Sequence, residues 1–380
     1  MALYGHVSDT HFDVTGRLSR DSETGLDLDL LKRQAALAWC CRDAREHEVD
    51  ALWHTGDLFG HADPAHSATV RRAALEAFAE LGGGIPIFVL TGNHDLAKNP
   101  SEANATDLVG PDLVTVFDGP EVFEWNGVDF AVFPYPNKQM LLAECPHLGV
   151  LQAEQFMAAA TMEILRGLAV QRRPGVPLIL AAHIPLAFAH LTSEREMDPF
   201  SPDWKISPFD IAGLFDKILL GHFHRPQWPA ENICYSGSPM ELCFSDEDDD
   251  PDAQGRGYFL HDLSAGTSEF RVYPGGIRHL TVDLRGGNEW PSAEEAEGKI
   301  VRVLAGADAD PRVLQEMVMG FGALSCRVDH QGRPSERRER AVEAGLTAEQ
   351  YLRLYVAEKH PGEDVEGVVA EARRIQEAQV

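Results

Sequence analysis

The chain has 380 residues, 44% hydrophobic and 24% charged, a composition that fits a soluble globular protein with one large domain and a smaller companion. No apolar run approaches the ~20 residues of a membrane helix, the start MALYGHVSDTHFD lacks a secretory pattern, and six scattered cysteines with no C-x-x-C pair fit neither a disulfide framework nor a structural zinc site. These features predict a cytoplasmic protein without a membrane partner. The net charge of −27 argues against a protein that coats DNA, but screening confines each charge to roughly 8 Å, so a metal-centred cleft stays open.

In chain order, the runs Ala2–Val7, Ala51–His54, Ile85–Thr91, Val128–Phe133, Leu178–Ala182 and Ile218–Leu220 are strand-like by length and content. Between them, Leu31, Ala35 and Ala38, and then Phe156, Ala160, Ile164 and Leu168, recur at helical spacing. This alternation predicts an α/β core with parallel strand pairs. From Asn232 the pattern becomes consecutive strands, Ile233–Ser236, Gly257–Leu263, Glu269–Tyr273 and Arg278–Leu284, read as a second sheet packed on the first. The segment 246–252, DEDDDPD, reads as a solvated acidic loop, without the even oxygen spacing and central glycine of an EF-hand.

A boundary is expected near 285–299, giving a main domain over 1–284 and a second over 285–335. Within the latter, Ile300–Leu304, Pro311–Met319 and Leu324–Val328 read as a small β-α-β unit. The remainder, 336–380, is helical in pattern. Tyr351, Leu354 and Tyr355 form one apolar stripe, Val365, Val368, Val369 and Ala372 another, and Pro361-Gly362 separates them. Packing onto their own domain and docking a partner are equally open readings of these stripes.

Five clusters follow strand-like runs: Asp9-Thr10-His11, Gly56-Asp57, Gly92-Asn93-His94-Asp95, His183, and Gly221-His222-Phe223-His224. Ligands gather beyond the carboxyl ends of strands in α/β sheets, so these loops are expected to converge on one edge. D-x-H and H-x-H place two donors on the same side of an extended chain. The donors Asp9, His11, Asp57, Asn93, His183, His222 and His224 exceed what one ion requires. They suit two divalent cations about 3.5–4 Å apart, bridged by Asp57. Two dications against two carboxylates leave a local positive field that attracts phosphate. His94, beside Asn93, is placed to protonate a leaving alkoxide, and Asp95 is expected to fix its tautomer. His47, His61, His66, His147, His190, His261, His279, His330 and His360 are assigned by default to surface or structural roles.

The order D-x-H, G-D, G-N-H-D, H, G-H-x-H resembles the calcineurin-like metallophosphoesterase superfamily in every block. The chain lacks the Arg-Gly after G-D and the G-N-H-E of protein phosphatases. Gly56-Asp57-Leu58-Phe59 with Asp63-Pro64, Gly221–Gln227 (GHFHRPQ) and Tyr235–Pro239 (YSGSP) instead look like SbcD-type nuclease subunits, over almost the whole chain. That resemblance implies a four-layer α/β/β/α core of two packed mixed sheets, with an α+β capping domain and a helical tail that docks on an SbcC-like coiled-coil ABC ATPase. It implies Mn²⁺-dependent 3′–5′ exonuclease and endonuclease action on DNA in repair or recombination, controlled by ATP. On that pattern Asp9, His11, Asp57 and His224 hold one metal, while Asp57, Asn93, His183 and His222 hold the other. His94 assists. A homodimer is suggested by the resemblance alone. Related chains often carry a phosphate-contacting histidine right after G-D-L-F; here Gly60 stands there, and His61 follows one step later.

The alternative is a stand-alone phosphodiesterase or phosphatase acting on small nucleotide esters, which shares the metal site and fits the acidic surface. The capping unit and tail separate the two, because a small-molecule hydrolase needs no docking hairpin. A non-catalytic scaffold is disfavoured because every ligand position is filled.

Overall fold

A computed structural model describes residues 2–60, 67–97, 104, 106, 114–136, 150–187, 204–247, 255–285, 290–307, 309–330, 366 and 369. Along the chain come β1 (Leu3–Val7), α1 (Leu28–Glu46), β2 (Ala51–His54), α2 (Ser67–Ala79), β3 (Ile87–Leu90), β4 (Val114–Phe117), β5 (Glu121–Trp125) and β6 (Val128–Phe133). Then follow α3 (Val150–Ala169), β7 (Leu178–His183), α4 (Pro208–Ile211), β8 (Lys217–Gly221), β9 (Gln227–Ala230), β10 (Ile233–Tyr235), β11 (Gly257–Asp262) and β12 (Thr267–Val272). The last described elements are β13 (His279–Asp283), α5 (Ala293–Ala296), β14 (Ile300–Ala305), α6 (Pro311–Gly320) and β15 (Ser325–His330).

Two six-stranded mixed sheets form the core, in the orders β12-β11-β1-β2-β3-β4 and β5-β6-β7-β8-β10-β9. The strands after Asn232 therefore do not make the second sheet by themselves. β11 and β12 extend the first sheet as an antiparallel edge on β1, and β10 joins the second beside β8. The second sheet begins at β5, a half-exposed antiparallel edge whose mixed polarity gives little strand signal.

The inner faces of the two sheets share an apolar layer that includes Tyr4, Trp53, Phe88, Phe130 and Ile179. Trp53 packs its ring 4.8 Å from both Phe88 and Phe130. Emptying that position by Trp53→Ala would cost ~3–5 kcal/mol. α1 and α2 cover the other face of the first sheet through Leu30, Leu37, Ala74 and Phe78. Asp27 starts α1 by accepting from the amides of Asp29 and Leu30. α3 covers the second sheet with Met157, Thr161, Leu165 and Leu168 buried, whereas Phe156 and Ile164 are 45% and 39% exposed. Leu168 is buried as the expected stripe requires, but upstream of it the buried repeat runs one position away from Phe156, Ala160 and Ile164. Helical spacing alone does not choose between two adjacent apolar stripes in so hydrophobic a helix.

The order is helix, sheet, sheet, helix. A separate three-stranded sheet, β13-β14-β15, contains the β-α-β succession of β14, α6 and β15. The chain divides into two compact units. The first comprises Met1–Thr281, Pro291–Arg302 and Val318–Cys326, and the second Val282–Trp290, Val303–Met317 and Arg327–Val380. Among the described residues no helix is long and apolar enough to cross a membrane. Of the stripes expected over 336–380, all members but Val369 lie outside the described residues.

Candidate metal centre

β1, β2 and β3 run parallel, as do β7 and β8, and their carboxyl ends align: Val7 pairs with His54, His54 with Val89, and His183 with Gly221. All five sequence clusters follow these ends, in the first compact unit. Beyond β1 the chain is tied to the loop after β2 by three amide bonds, Asp9 to the Gly56 carbonyl at 3.0 Å, His11 to Asp57 at 3.0 Å and Phe12 to Leu58 at 2.8 Å. This tie forces unusual backbone. Asp9, His11, Asp57 and His222 have φ of 52°, 47°, 54° and 109°, and only two other described non-glycine residues share positive φ. Strain of this kind, of order 1–3 kcal/mol per residue, collects at functional sites. Gly92 is required for a different reason, since a Cβ there would run into the amide and carboxylate of Asp57.

The side chains of all seven donors meet. His11 Nε2 lies 3.5 Å from Asp57 Oδ2 and 3.9 Å from Asp9 Oδ1. His183 Nε2 lies 3.5 Å from Asp57 Oδ2. Asn93 Oδ1 is 3.0 Å from both His183 Nε2 and His222 Nδ1, and His224 Nε2 faces His11 Nε2 at 3.2 Å. Asp57 sits between the groups, as a bridging carboxylate would. Two of the triads whose ligand atoms lie within 4.8 Å of one another are Asp9–His11–His224 and Asp9–Asp57–His183.

This donor set fits divalent cations on its own chemistry. Ring nitrogens of His224 and His11 come within 3.2 Å of each other, and two more imidazoles crowd onto Asn93 Oδ1, so the donors share one space that a cation can occupy once the inner protons of His183 and His224 leave. Oxygen and imidazole donors without a thiolate suit hard or borderline ions.

Charge is distributed unevenly over the cluster. Burial would raise the Asp57 carboxyl, but His183, His94 and His11 outweigh it and hold the group well below the usual carboxylate range. Burial dominates at Asp9, which is raised despite His183 and His224. Burial lowers His183, yet Asp57 beside it brings the imidazole up to about 9. His11 and His222 are pushed well down by burial. Burial would lower His224 too, but Asp246 beside it raises that imidazole well above the ordinary histidine value. Asp57 with His183 and Asp246 with His224 thus form two ion pairs, and Asp57 stays ionised for a cation.

Several orienting groups are invisible in the sequence. The Thr55 carbonyl accepts from His183 Nδ1 at 2.7 Å, so the nitrogen turned toward the cluster is Nε2, whose proton a metal ion would displace. Asp9 accepts from the His222 amide at 3.1 Å. Tyr135 stacks on His222 with ring centroids 5.8 Å apart.

Asp246, expected to lie in a solvated loop, is instead 1% exposed. Its carboxylate takes His224 Nδ1 at 3.2 Å and the Leu242 amide at 2.8 Å. The acidic run hides it because its neighbours in sequence carry the same charge. Arg256 fixes the same corner through the carbonyls of His224 and Asp246. Residues 248–252 lie outside the described residues, as does His61.

His94 also reaches the centre. Its amide donates to Asp57 Oδ1 at 2.8 Å, and its ring stands edge-on to His11 with centroids 4.8 Å apart. Asp95 does not take the place expected of it. The partner of His94 Nδ1 is the Gly60 carbonyl at 3.0 Å. The Asp95 carboxylate accepts from the amides of Leu58, Phe59 and Gly92 at 3.2, 2.8 and 2.9 Å. Asp95 is a loop fastener. Burial first and then Asp57 raise it to about 7.

Comparison with known proteins gives this geometry a family. The calcineurin-like phosphoesterase model matches residues 3–226, more than half of the chain, and the chain belongs to that family. It is a metallophosphoesterase, of a hydrolase class that uses divalent metal ions. Among curated relatives, the chain is 26% identical over 285 residues to the DNA double-strand break repair protein Mre11 of Sulfurisphaera tokodaii, an alignment covering 74% of this chain and 62% of the relative. It is 24% identical over 261 residues to SbcD, a component of the Escherichia coli nuclease SbcCD, covering 63% and 61%. The Mre11 protein of Thermoplasma acidophilum is 27% identical over 231 residues, covering 59% and 54%. The chain therefore spans about three-fifths or less of the length of these relatives.

Proposed function

We propose that the chain is a Mn²⁺-dependent DNA nuclease of the SbcD and Mre11 type, cleaving phosphodiesters as a 3′–5′ exonuclease and endonuclease. In this reading it works in the cytoplasm, in DNA repair or recombination, beside an SbcC-like coiled-coil ABC ATPase docked by residues 336–380, with a second copy of the chain as a further partner. Asp9, His11, Asp57 and His224 hold one ion, and Asp57, Asn93, His183 and His222 the other. The observation that carries the reading is the convergence of these seven donors at the carboxyl ends of strands from both sheets, with His94 beside them, and the names of the relatives support DNA as the substrate.

When bound, the ions would polarise the phosphoryl oxygens and supply a hydroxide-like nucleophile. The protein's own groups do the rest. Asp57, held ionised, would belong to both ligand sets. His183 is turned by Thr55 and His224 by Asp246, so each presents Nε2 to the centre. His94 keeps its Nδ1–H on the Gly60 carbonyl. It gives the proton on Nε2 to the departing 3′ oxygen and ends as neutral imidazole.

The test incubates the purified protein with Mn²⁺ and end-labelled duplex DNA, alongside His94→Ala. Wild type should release nucleotides. His94→Ala should keep its metal content and lose ~10²–10⁴-fold in turnover. Hydrolysis confined to small nucleotide esters would replace the nuclease reading with that of a stand-alone phosphodiesterase.

A further inference from the structure

A second cluster of ligating side chains lies between the two sheets, away from the edge that carries the phosphoesterase centre. His6 on β1 and His261 on β11 belong to the first sheet, and Cys234 on β10 belongs to the second. All three are buried, with 0%, 1% and 0% exposure. The facing atoms His6 Nδ1 and His261 Nε2 are 3.3 Å apart, and with the Cys234 Sγ they form a triad whose ligand atoms all lie within 4.8 Å of one another.

From these observations we propose that His6, Cys234 and His261 form a thiolate-bearing metal site, of a kind that selects Zn²⁺, clasping the first sheet to the second. The outer nitrogen of each imidazole already has an oxygen partner: His6 Nε2 meets Thr55 Oγ1 at 3.0 Å, and His261 Nδ1 meets Ser268 Oγ at 2.7 Å. Imidazoles that ligate a metal are held in this way, the outer N–H on an oxygen and the inner lone pair free for the ion.

With both outer nitrogens donating, two lone pairs point into one space beside a thiol. Without metal, the clash is relieved by one inner N–H, with Ser268 or Thr55 turning from acceptor to donor. Metal binding reverses that tautomer, and the Cys234 thiol proton leaves to solvent, so one proton is released per ion.

Two imidazoles and a thiolate make three donors of a tetrahedral set and leave one open position. That chemistry favours zinc over manganese, which prefers oxygen. The sequence pattern of a zinc site is missing because the ligands come from three strands far apart in the chain. A cleft of about 700 Å³ opens beside the same strands, lined by Arg172, Arg173, Asp216, Lys217, Glu231 and Asp262 among others, so that its cationic and acidic side chains balance. Lys217 is held off, donating to Ser268 Oγ at 3.0 Å with its ammonium 4.3 Å from the Trp228 ring.

The probe is cadmium, whose thiolate charge-transfer absorption in the ultraviolet sees sulfur ligands and is blind to the oxygen–imidazole centre. Full-length protein, stripped of metal and then saturated with Mn²⁺, is titrated with Cd²⁺ and, separately, with Zn²⁺. One equivalent of Cd²⁺ should give the thiolate band, and one equivalent of Zn²⁺ should remain after dialysis and raise the melting temperature. Cys234→Ser and His261→Phe, the second chosen to fill the space against Phe259, should each lose the band and that equivalent. Cys243→Ser, near His224, should keep both. Absence of the band in wild type, or its persistence in Cys234→Ser, would overturn the proposal without reference to how well any variant folds.

Discussion

The two sheets furnish the phosphoesterase centre by different means. The first supplies Asp9, His11 and Asp57 from backbone of positive φ, held there by amide-to-carbonyl ties between neighbouring loops. The second supplies His183 and His224 from ordinary backbone and aims them through the hydrogen bond each ring donates, to the Thr55 carbonyl and to Asp246. His222 stands between these cases, with φ of 109° and its amide on Asp9. One half of the centre is fixed by strain and the other by orientation. Damage to the first half should therefore abolish metal binding, whereas damage to the orienting groups of the second should weaken it.

The sharpest way to break this contrast is Asp57→Asn. Asparagine tolerates the left-handed backbone at this position and can still accept from the His94 amide, so the fold should survive. The amide cannot supply the bridging negative charge, and His183 loses the partner that keeps it protonated. The expected outcome is loss of both ions by metal analysis and no detectable phosphodiester hydrolysis, with cooperative melting retained. Retention of stoichiometric metal would show that Asp57 does not bridge.

A smaller effect should follow from Asp246→Ala, which leaves every proposed ligand in place and removes the group that turns His224. Loss of such an orienting carboxylate typically costs ~10–100-fold in metal affinity. Activity should fall at limiting Mn²⁺ and recover at high Mn²⁺, and a deficit unchanged by added metal would remove Asp246 from the orienting role.

The same contrast explains what the sequence can reveal. Ligands must be particular side chains at particular spacings, so Asp9-Thr10-His11 and His222-Phe223-His224 can be read directly, as can the parallel strands that precede them. Orienting groups are under no such restriction. Thr55 and Gly60 act through backbone carbonyls that every residue possesses, and Asp246 lies at the head of an acidic run that reads as solvent-facing. Asp95 stands out by its place in G-N-H-D, but nothing in the sequence shows its carboxylate turning to the amides of Leu58, Phe59 and Gly92. The strand partition fails for a related reason. Whether β11 pairs with β1 or with β10 depends on long-range packing, and the local pattern of β11 is compatible with both.

The last expected effect leaves metal binding aside, lies beneath the strained half and is read as stability. His54 ends β2 and is fully buried, with Nε2 3.0 Å from Thr10 Oγ1. The Thr10 hydroxyl donates to the Leu58 carbonyl at 3.2 Å, so it accepts from His54, which fixes Nε2–H. Nδ1 has no hydrogen-bond partner among the described residues. A second proton would therefore have no acceptor, in a pocket edged by the Phe78 ring at 6.2 Å. Burial, with His183 adding to it, lowers this imidazole to about 3. The folded-state value lies below that of an unfolded histidine, near 6.5. The unfolded chain thus binds the extra proton first as pH falls. The stability contributed by neutral His54 is present above about pH 6.5 and is lost progressively toward pH 3, at about 1.4 kcal/mol per pH unit. His54→Gln keeps a donor for Thr10 and cannot titrate. Denaturant melts of both proteins in chelator, at several pH values from 6.5 downward, should show wild type losing about that much more stability per unit than the variant. Parallel curves would mean that His54 accepts its proton inside the fold, and that the loops around Thr10 yield more easily than their strained backbone suggests.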